Sequence, residues 1–495
     1  MSSKDDLHMS DKAEHHEDAI GAADSESLRM PVHANSLTRG VLLKTDIRIL
    51  SILSLLFLCS FLDRTNIGNA KIIGLERDVG LDNNEYQHGL AIYYAFYIFS
   101  ELPSNLIIKK ASPKVWLPFL TFSWGVVTIG IGFMKNYATY MALRAILGLF
   151  EGGLVPGMIL YMSGMYTRGE LALRIGIFYT AASLSGAFGG LLARGLSAIG
   201  PRGGLEGWRW IFIMEGLITI VVAAISYFML PESVETASFL TKEERIWAIQ
   251  RLENDEGGRF SRAREREEKF RWSEVGRGVF NVQLWLTGTA YFAILAGLYS
   301  FGLFLPTIVK ELGIASSANQ VQLWSVIPFA VATPITAPVL VAYISDHFKL
   351  RGVAMLCVLP IAIVGYAVIA NVKAAETRFA MTCLMAIGMY SSVPPILVWN
   401  SNNSAGHYKR ATTSAVQLAV ANAGGFVSTF TYPDRDGPYF HRGHTIILGL
   451  LCYAWVAVFL NVMWCRKINQ DKIAGKFDEF RDCGDDRDPE FRMVI

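Results

Sequence analysis

The sequence predicts an all-α integral membrane protein of twelve transmembrane helices in two six-helix halves. Three observations predict it. Of the 495 residues 52% are hydrophobic and 18% charged, against roughly 45–50% and about 25% in soluble domains. The apolar residues are gathered: 115–134, 278–309, 312–345, 353–372, 379–407, 411–433 and 445–465 hold no Asp, Glu, Lys or Arg. Two blocks of nearly equal length, 47–230 and 284–465, flank one charged insert. So few charges cannot cover three soluble domains, and the apolar content excludes disorder and collagen. A net charge of +2 with no basic patch argues against nucleic acid as a partner.

A helix needs about 20 apolar residues to cross the ~30 Å hydrocarbon core, and backbone polar groups in lipid must be satisfied within the segment. On that basis the spans fall at 47–67, 86–108, 115–134, 138–161, 172–193, 210–230, 284–306, 321–344, 353–371, 378–398, 412–432 and 445–465. Small residues such as Gly186, Gly189 and Gly190 permit close helix approach, and Pro328, Pro334, Pro394 and Pro395 are tolerated as kinks. The six cysteines lie in spans, at a span end or in the tail, which indicates no disulfide framework. Residues 1–45 are polar, and the first span is expected to act as an uncleaved signal-anchor.

Twelve spans put both termini on one side. Loops on that side carry 19 Lys and Arg, the opposite loops 11, and the tails 12 more, which places both termini in the cytoplasm. The insert carries 10 basic and 11 acidic residues. In it Thr241 and Glu244 have capping-box spacing ahead of Ile246, Trp247, Ile249 and Leu252, the signature of a short amphipathic surface helix. The expected organisation is a disordered cytoplasmic tail to 45, a six-helix half over 46–231, a cytoplasmic linker over 232–283, a second half over 284–466 and a cytoplasmic tail from 467. Two equal six-span halves with such a linker are the layout of the major facilitator fold.

An ionisable residue inside a span costs at least ~2.5–3.5 kcal/mol at the bilayer centre and is a candidate for function. Apart from Arg48, Arg174 and Arg378 at span edges, the spans hold Asp63, Arg64, Glu101, Arg144, Glu151 and Glu215, all in the first half. Arg144 and Glu151 are seven apart, so both point the same way on one helix, with Gly148 and Gly152 leaving room nearby. Depth counting puts Arg144 level with Asp63–Arg64 and Glu151 below them, so two carboxylates and two arginines are expected to form one cluster. A carboxylate there can gain and lose a proton, whereas Arg keeps its charge and its planar fork matches a carboxylate. A purely structural lock between helices is the competing reading, above all for Arg144. Glu101 reads as a gate or packing residue, and Glu215, after Trp208-Arg209-Trp210, as structural. Tyr94, Tyr179, Tyr291, Tyr299, Trp399, Asn403 and Asn422 offer aromatic faces or amide donors for substrate, though membrane aromatics more often serve packing.

Phe61-Leu62-Asp63-Arg64-Thr65-Asn66-Ile67-Gly68-Asn69-Ala70 resembles the first-span signature of the anion:cation symporter family within the major facilitator superfamily, in its fungal allantoate/nicotinate/pantothenate permease branch. Glu101-Leu102-Pro103-Ser104-Asn105, Arg144-x3-Gly148-x2-Glu151-Gly152, Gly186 through Ala193, and Gly207-Trp208-Arg209-Trp210-Ile211-Phe212 resemble the same branch. So do Asn402-Asn403-x2-Gly406-His407-x-Lys409-Arg410 and the Gly443-His444 that follows Asp436-Gly437-Pro438. The resemblance spans about 45–470. It implies proton-coupled import of organic anions, with Asp63 and Glu151 as protonation sites, Arg64 orienting the substrate carboxylate and Arg144 coupling to them. The sequence departs from the wider superfamily after span 2, where Gly-x3-Asp-Arg is usual and Asn105-Leu106-Ile107-Ile108-Lys109-Lys110 has no acid. The second-half copy keeps Asp346, with Arg351 beyond it, and is expected to anchor a cytoplasmic gate. Span 5 lacks the Gly-Pro-x-x-Gly-Gly of multidrug antiporters.

The function expected is symport of a small organic anion, a vitamin-like monocarboxylate such as nicotinate, with protons into the cell. The protein would act as a monomer in the plasma membrane, with the proton as coupling ion and no cofactor or metal. A proton-driven metabolite exporter and a nutrient receptor without net transport are the rivals. No Gly-x-Ser-x-Gly, His-Glu-x-x-His or Walker pattern occurs, which argues against an enzyme or an ATP-driven pump.

Overall fold

The computed structural model describes residues 34–253, 271–332, 337–481, 483 and 485–495, and within them all regular structure is helical. Twelve membrane elements follow in order. They are α1 (Ser51–Ile73), α2 (Asn83–Ala111), α3 (Pro113–Ile131), α4 (Tyr137–Glu151 continued by Leu154–Met165), α5 (Arg168–Ser197), α6 (Gly207–Met229), α7 (Val282–Glu311), α8 (Ala318–Ala332 and Ala337–Phe348), α9 (Arg351–Asn371), α10 (Ala375–Asn402), α11 (His407–Asn422 and Gly424–Phe430) and α12 (His441–Ile473). Each lies over one predicted span. Nine helices among the described residues are long and apolar enough to cross a membrane. The remaining three are α2, which carries Glu85, Glu101, Lys109 and Lys110, α11, which opens on His407, Lys409 and Arg410, and α8, described in two pieces.

Helix starts are set by local chemistry. The Asp82 carboxylate accepts from the Glu85 amide at 2.7 Å while the Asp82 amide donates to Glu85 at 3.0 Å, closing a capping box on α2. Asn136 and Thr139 do the same for α4. Glycine sets how closely α4 meets α2: a Cβ on Gly148 would lie 2.2 Å from the Tyr93 carbonyl oxygen, and one on Gly152 2.1 Å from that of Tyr97. This close approach is the common membrane packing device.

Within the first half α1 packs on α5 and α6, α2 on α4, and α3 on α4 and α6. Within the second half α7 packs on α11 and α12, and α9 on α10 and α12. The seam between the halves is made by α1 against α7, α2 against α11, and α5 against α8 and α10. Away from the termini the seam is shut. A Cβ on Gly68 of α1 would lie 2.2 Å from the Leu303 carbonyl oxygen of α7, and Lys71 Nζ reaches Glu76 at 3.2 Å and, in the other half, Asp434 at 3.0 Å.

On the side of the termini the structure departs from the expected tails. Residues 34–45, read as part of a disordered tail, form the helix Ala34–Thr45, which runs through a π-helical turn, Asp46–Leu50, into α1. It is ordered by partners: Lys44 pairs with Glu244 at 2.8 Å, Thr38 Oγ1 accepts from the Trp247 indole at 3.0 Å, and Asp46 pairs with Arg174 at 2.9 Å. Glu244 and Trp247 belong to the predicted linker helix, observed as Lys242–Glu253 and capped by Thr241. The remainder of the tail, 1–33, and the middle of the linker, 254–270, lie outside the described residues.

The C-terminal segment is also docked. Lys472 Nζ donates to the carbonyls of Asp486 at 2.6 Å and Phe491 at 2.7 Å, and the Trp399 indole donates to the Val494 carbonyl at 2.8 Å. Arg277, on the linker helix Trp272–Val279, pairs with Asp485 at 2.9 Å and Asp486 at 3.1 Å. Burial opposes ionisation of Asp485, but Arg487 and then Arg277 hold its carboxyl below the ordinary range.

Arg277→Ala is expected to release 485–495. Loss of about 1.5 kcal/mol of charge-assisted bonding lowers the docked population about ten-fold, read as a comparable rise in the rate of limited proteolysis within the segment. Unchanged protection in the variant would contradict the docking role of Arg277.

Candidate substrate and coupling site

The site is built on one face of α1. Ser60 and Arg64 are four apart, as are Phe61 and Thr65, so both pairs lie one turn above the other. Facing them, Tyr86, Tyr93 and Tyr97 are spaced by seven and four on α2 and share one stripe. The Arg64 guanidinium, 3% exposed, sits 4.9 Å from the ring centroid of Phe61, 5.5 Å from Tyr93, 5.0 Å from Tyr97 and 5.2 Å from Tyr299 of α7. Each such contact contributes about 0.5–2 kcal/mol. Its one carboxylate neighbour is Glu151, at 3.4 Å, and its Nε has no hydrogen-bond partner among the described residues.

Glu151 is fully buried. Its Oε2 accepts from Tyr93 OH at 2.5 Å, Ser60 Oγ at 3.2 Å and Arg64 at 3.4 Å, while Oε1 has no partner among the described residues. Arg144 lies against the same Tyr93 ring, 4.8 Å from its centroid, and donates through Nε to the Gly89 carbonyl at 3.4 Å. Tyr93 is thus the pivot: its hydroxyl holds the acid and its ring meets both arginines.

A narrow cleft lies beside this group at the seam, lined by Arg64 and Thr65 of α1, Tyr94 of α2, Tyr299 of α7 and Tyr390 of α10, among others. Tyr299 OH donates to Asn422 Oδ1 at 3.1 Å, and Asn422 Nδ2 donates to Glu101 at 3.2 Å, a chain that joins α7 and α11 to α2. Tyr179 of α5 and Tyr291 of α7 share a hydroxyl–hydroxyl bond of 3.0 Å across the same seam. The structure therefore brings together Arg64, Arg144, Glu151, Glu101, Tyr94, Tyr179, Tyr299 and Asn422.

Four expected residues stand apart: Asp63, Asn403, Arg351 and Trp399, whose indole donates to the Val494 carbonyl of the C-terminal segment. Asp63 makes no hydrogen bond or ion pair with the cluster among the described residues. Successive helical residues point about 100° apart, so with Arg64 turned to the cavity Asp63 turns inside the first half, toward Trp124 and Thr128 of α3. Asn403 does not meet the cavity: its side chain accepts from the Val494 amide at 2.7 Å and donates to the Val494 carbonyl at 2.9 Å, holding the C-terminal segment. A loop residue with a full set of tail partners has none left for substrate. Arg351 is buried at the start of α9, beside the tail, where the Gly352 amide donates to the Ile495 carbonyl at 3.2 Å. The Asp346 side chain lies outside what the structure describes.

Phe61, Tyr93 and Tyr97, which enclose Arg64, were not among the expected residues. The tyrosine stripe of α2 was the available signal, since a polar ring repeated on one helical face can serve a buried charge.

Apolar helices in two halves, with a charged aromatic site buried at their seam, define a membrane transport protein. The family model described as Major Facilitator Superfamily matches residues 53–429, and the chain belongs to that superfamily. An uncharacterized transporter of Schizosaccharomyces pombe is 35% identical over 442 residues, 88% of this chain and 86% of its own. The high-affinity nicotinic acid transporter of Saccharomyces cerevisiae is 27% identical over 484 residues, 96% of this chain and 88% of its own. Among solved structures, a bacterial homologue of the human lysosomal transporter Spinster, inward-facing and occupied, superposes with a TM-score of 0.61 at 17% identity, covering 84% of this chain and 96% of its own. That likeness shows the fold.

Tyr93→Phe removes the shortest bond to Glu151 and leaves the ring. At ~1.5–3 kcal/mol for a hydrogen bond to a charged group, substrate uptake is expected to weaken about ten-fold or more, read as KM in transport assays. Asn403→Ala should leave KM unchanged. Equal KM effects from both variants would dissolve the distinction between cavity and tail.

Proposed function

We propose that this transporter is a proton-coupled symporter that imports a small organic anion, a vitamin-like monocarboxylate such as nicotinate, by alternating access. It would sit in the plasma membrane with both termini in the cytoplasm. The observation that carries the reading is Arg64: a buried guanidinium held by four aromatic rings and one long contact to Glu151, at the edge of a cavity on the seam. Arg keeps its charge, and its fork suits a carboxylate. An incoming carboxylate takes the free guanidinium edge and competes with Glu151. Once displaced, Glu151 is a buried acid without its cation, and binding a proton removes the several kcal/mol that such a charge costs. Substrate and proton then load together, and the cavity closes on a neutralised site. Tyr94, Tyr299 and Tyr390 give the lining flat aromatic faces, which suit a planar ring beside the carboxylate. The kinship to a nicotinic acid transporter agrees with this substrate class.

The test is uptake of labelled small carboxylates into vesicles carrying the purified protein, with and without an imposed proton gradient. Glu151→Gln is expected to abolish uphill, gradient-driven uptake and to retain exchange. Arg64→Ala is expected to lose both by about 10- to 100-fold, from ~1.5–3 kcal/mol of charge-assisted bonding. Accumulation by Glu151→Gln against a gradient would refute the coupling role, and net efflux under the same gradient would favour an exporter.

A further inference from the structure

Away from the cavity, inside the first half, lies a second group of buried polar side chains. Asp63 of α1 is 1% exposed and Glu215 of α6 is 2% exposed. No Lys or Arg among the described residues forms an ion pair with either. Among the described residues both Asp63 oxygens lack hydrogen-bond partners, yet the Thr128 hydroxyl and the Trp124 indole N–H of α3 face them, and these two donors are themselves unbonded there and fully buried. Glu215 accepts through Oε1 from the Asn66 amide, and its Oε2 is free of partners among the described residues. The Asn66 amide is fixed in turn, because its Oδ1 accepts from Asn69 Nδ2 at 2.7 Å. Asp63 and Asn66 are three apart on α1, so both carboxyls meet the same helical face.

The other groups around the pair supply no cation. On α1 there is the Cys59 thiol, on α6 the Thr219 hydroxyl, on α3 neutral Trp124 and Thr128, and on α4 the further acid Glu151. On α5 Gly189 faces Asn66: a Cβ there would lie 3.0 Å from Asn66 Oδ1. Arg64, the nearest cation in sequence, is turned into its aromatic cage.

We propose that Asp63 and Glu215 form a second protonation site of the transporter, enclosed by α1, α3 and α6 and not touched by substrate. The inference rests on the proton-coupled reading above and adds Glu215 to it. Two carboxylates in one low-dielectric pocket without a cation cannot both be ionised. At most one of the two therefore carries a charge at any time. Loading a coupling proton makes the pair neutral: an O–H bond forms on the ionised carboxyl and one is lost from the hydronium that delivers it. The unbonded Thr128 and Trp124 donors are placed to bond the charged form, which permits release of that proton on the other side of the cycle. Coupling needs no contact with substrate. Asp63 and Arg64 are neighbours on one rigid helix, and α1 meets α7 of the other half at Gly68 and Leu303, so charge on the pair bears on the helix that carries the substrate anchor.

The experiment uses the full-length protein in proteoliposomes with a labelled small carboxylate that the wild type takes up. Glu215→Gln keeps the volume and can still accept from Asn66, but it cannot titrate. Glu215→Gln and Asp63→Asn are each expected to retain exchange within about two-fold while gradient-driven uptake falls at least ten-fold and its pH profile flattens. Their combination should be no worse than either alone, since they share one site. Glu215→Asp, which restores a carboxyl, should recover pH-dependent uptake. The proposal is overturned if Glu215→Gln keeps wild-type accumulation and pH profile, or if the folded variant, checked by thermal melting, loses exchange and accumulation alike. Should Glu215→Gln fail to fold, Asp63→Asn carries the same comparison. A wild type whose uptake ignores the proton gradient would instead refute the proton-coupled reading itself.

Discussion

A guanidinium inside the hydrocarbon layer is the constraint on which the rest of this structure depends. Removing Arg64 from water costs several kcal/mol that must be offset by neighbours. The protein offsets it mainly with aromatic faces rather than a full counter-charge: Phe61 from its own helix, Tyr93 and Tyr97 from α2, and Tyr299 from the other half. A bidentate carboxylate would neutralise Arg64 and leave nothing for a ligand. At 3.4 Å through one oxygen, Glu151 leaves part of the guanidinium edge available. Other features follow from that choice. α2 must lie against α4 for Tyr93 to reach Glu151, and that approach exists because Gly148 and Gly152 present no side chain to the α2 backbone. The fourth ring comes from α7, so the charge is fully enclosed only while the two halves meet.

The seam connects that enclosure to the rest of the molecule. Tyr299 stacks near Arg64 and also donates to Asn422, which donates to Glu101. A ligand that moves Tyr299 therefore acts on a contact between α2 and α11. On the side away from the termini, the Gly68–Leu303 approach and the Lys71–Asp434 pair hold the halves together. Lys71 is nearly buried and also faces the Tyr86 ring at 4.7 Å, so the tyrosine stripe of α2 touches both the seam lysine and the central arginine. One helical face thus runs from the closed end of the seam to the site.

The fold was legible because a membrane leaves a chain few options. Apolar residues must gather into runs of about 20, and the runs must be helices, so span positions and the division into halves can be read from residue type alone. Buried charges stand out against that background, which is why Arg64, Arg144 and Glu151 could be expected to lie together without coordinates. Their facing was less accessible. Asp63 and Arg64 are adjacent, and depth counting places them together, but helical rotation sends one to the cavity and the other into the first half. Asn403 lies away from the cavity for a different reason. Its partner, Val494, is 91 residues away in a segment with no apolar periodicity, and nothing local to Asn403 announces it. The helix Ala34–Thr45 was missed similarly: its order depends on Glu244 and Trp247 of the linker, contacts that pattern alone does not reveal.

The two halves divide the chemistry unequally. All four carboxylates buried in mid-span among the described residues, Asp63, Glu101, Glu151 and Glu215, belong to the first half. The second half answers with Tyr291, Tyr299, Tyr390 and Asn422, which bring hydroxyls, rings and an amide but no mobile proton near neutral pH. Such a division suits a machine in which charge is handled by one rigid unit and shape by the other. If the acids were spread over both halves, each rocking motion would separate or join like charges, and the cost would fall on the conformational step. With all of them in one half, charge changes are settled within that unit. The step between conformations then works against contacts of rings, glycines and hydrogen bonds, which are individually weak and can be exchanged.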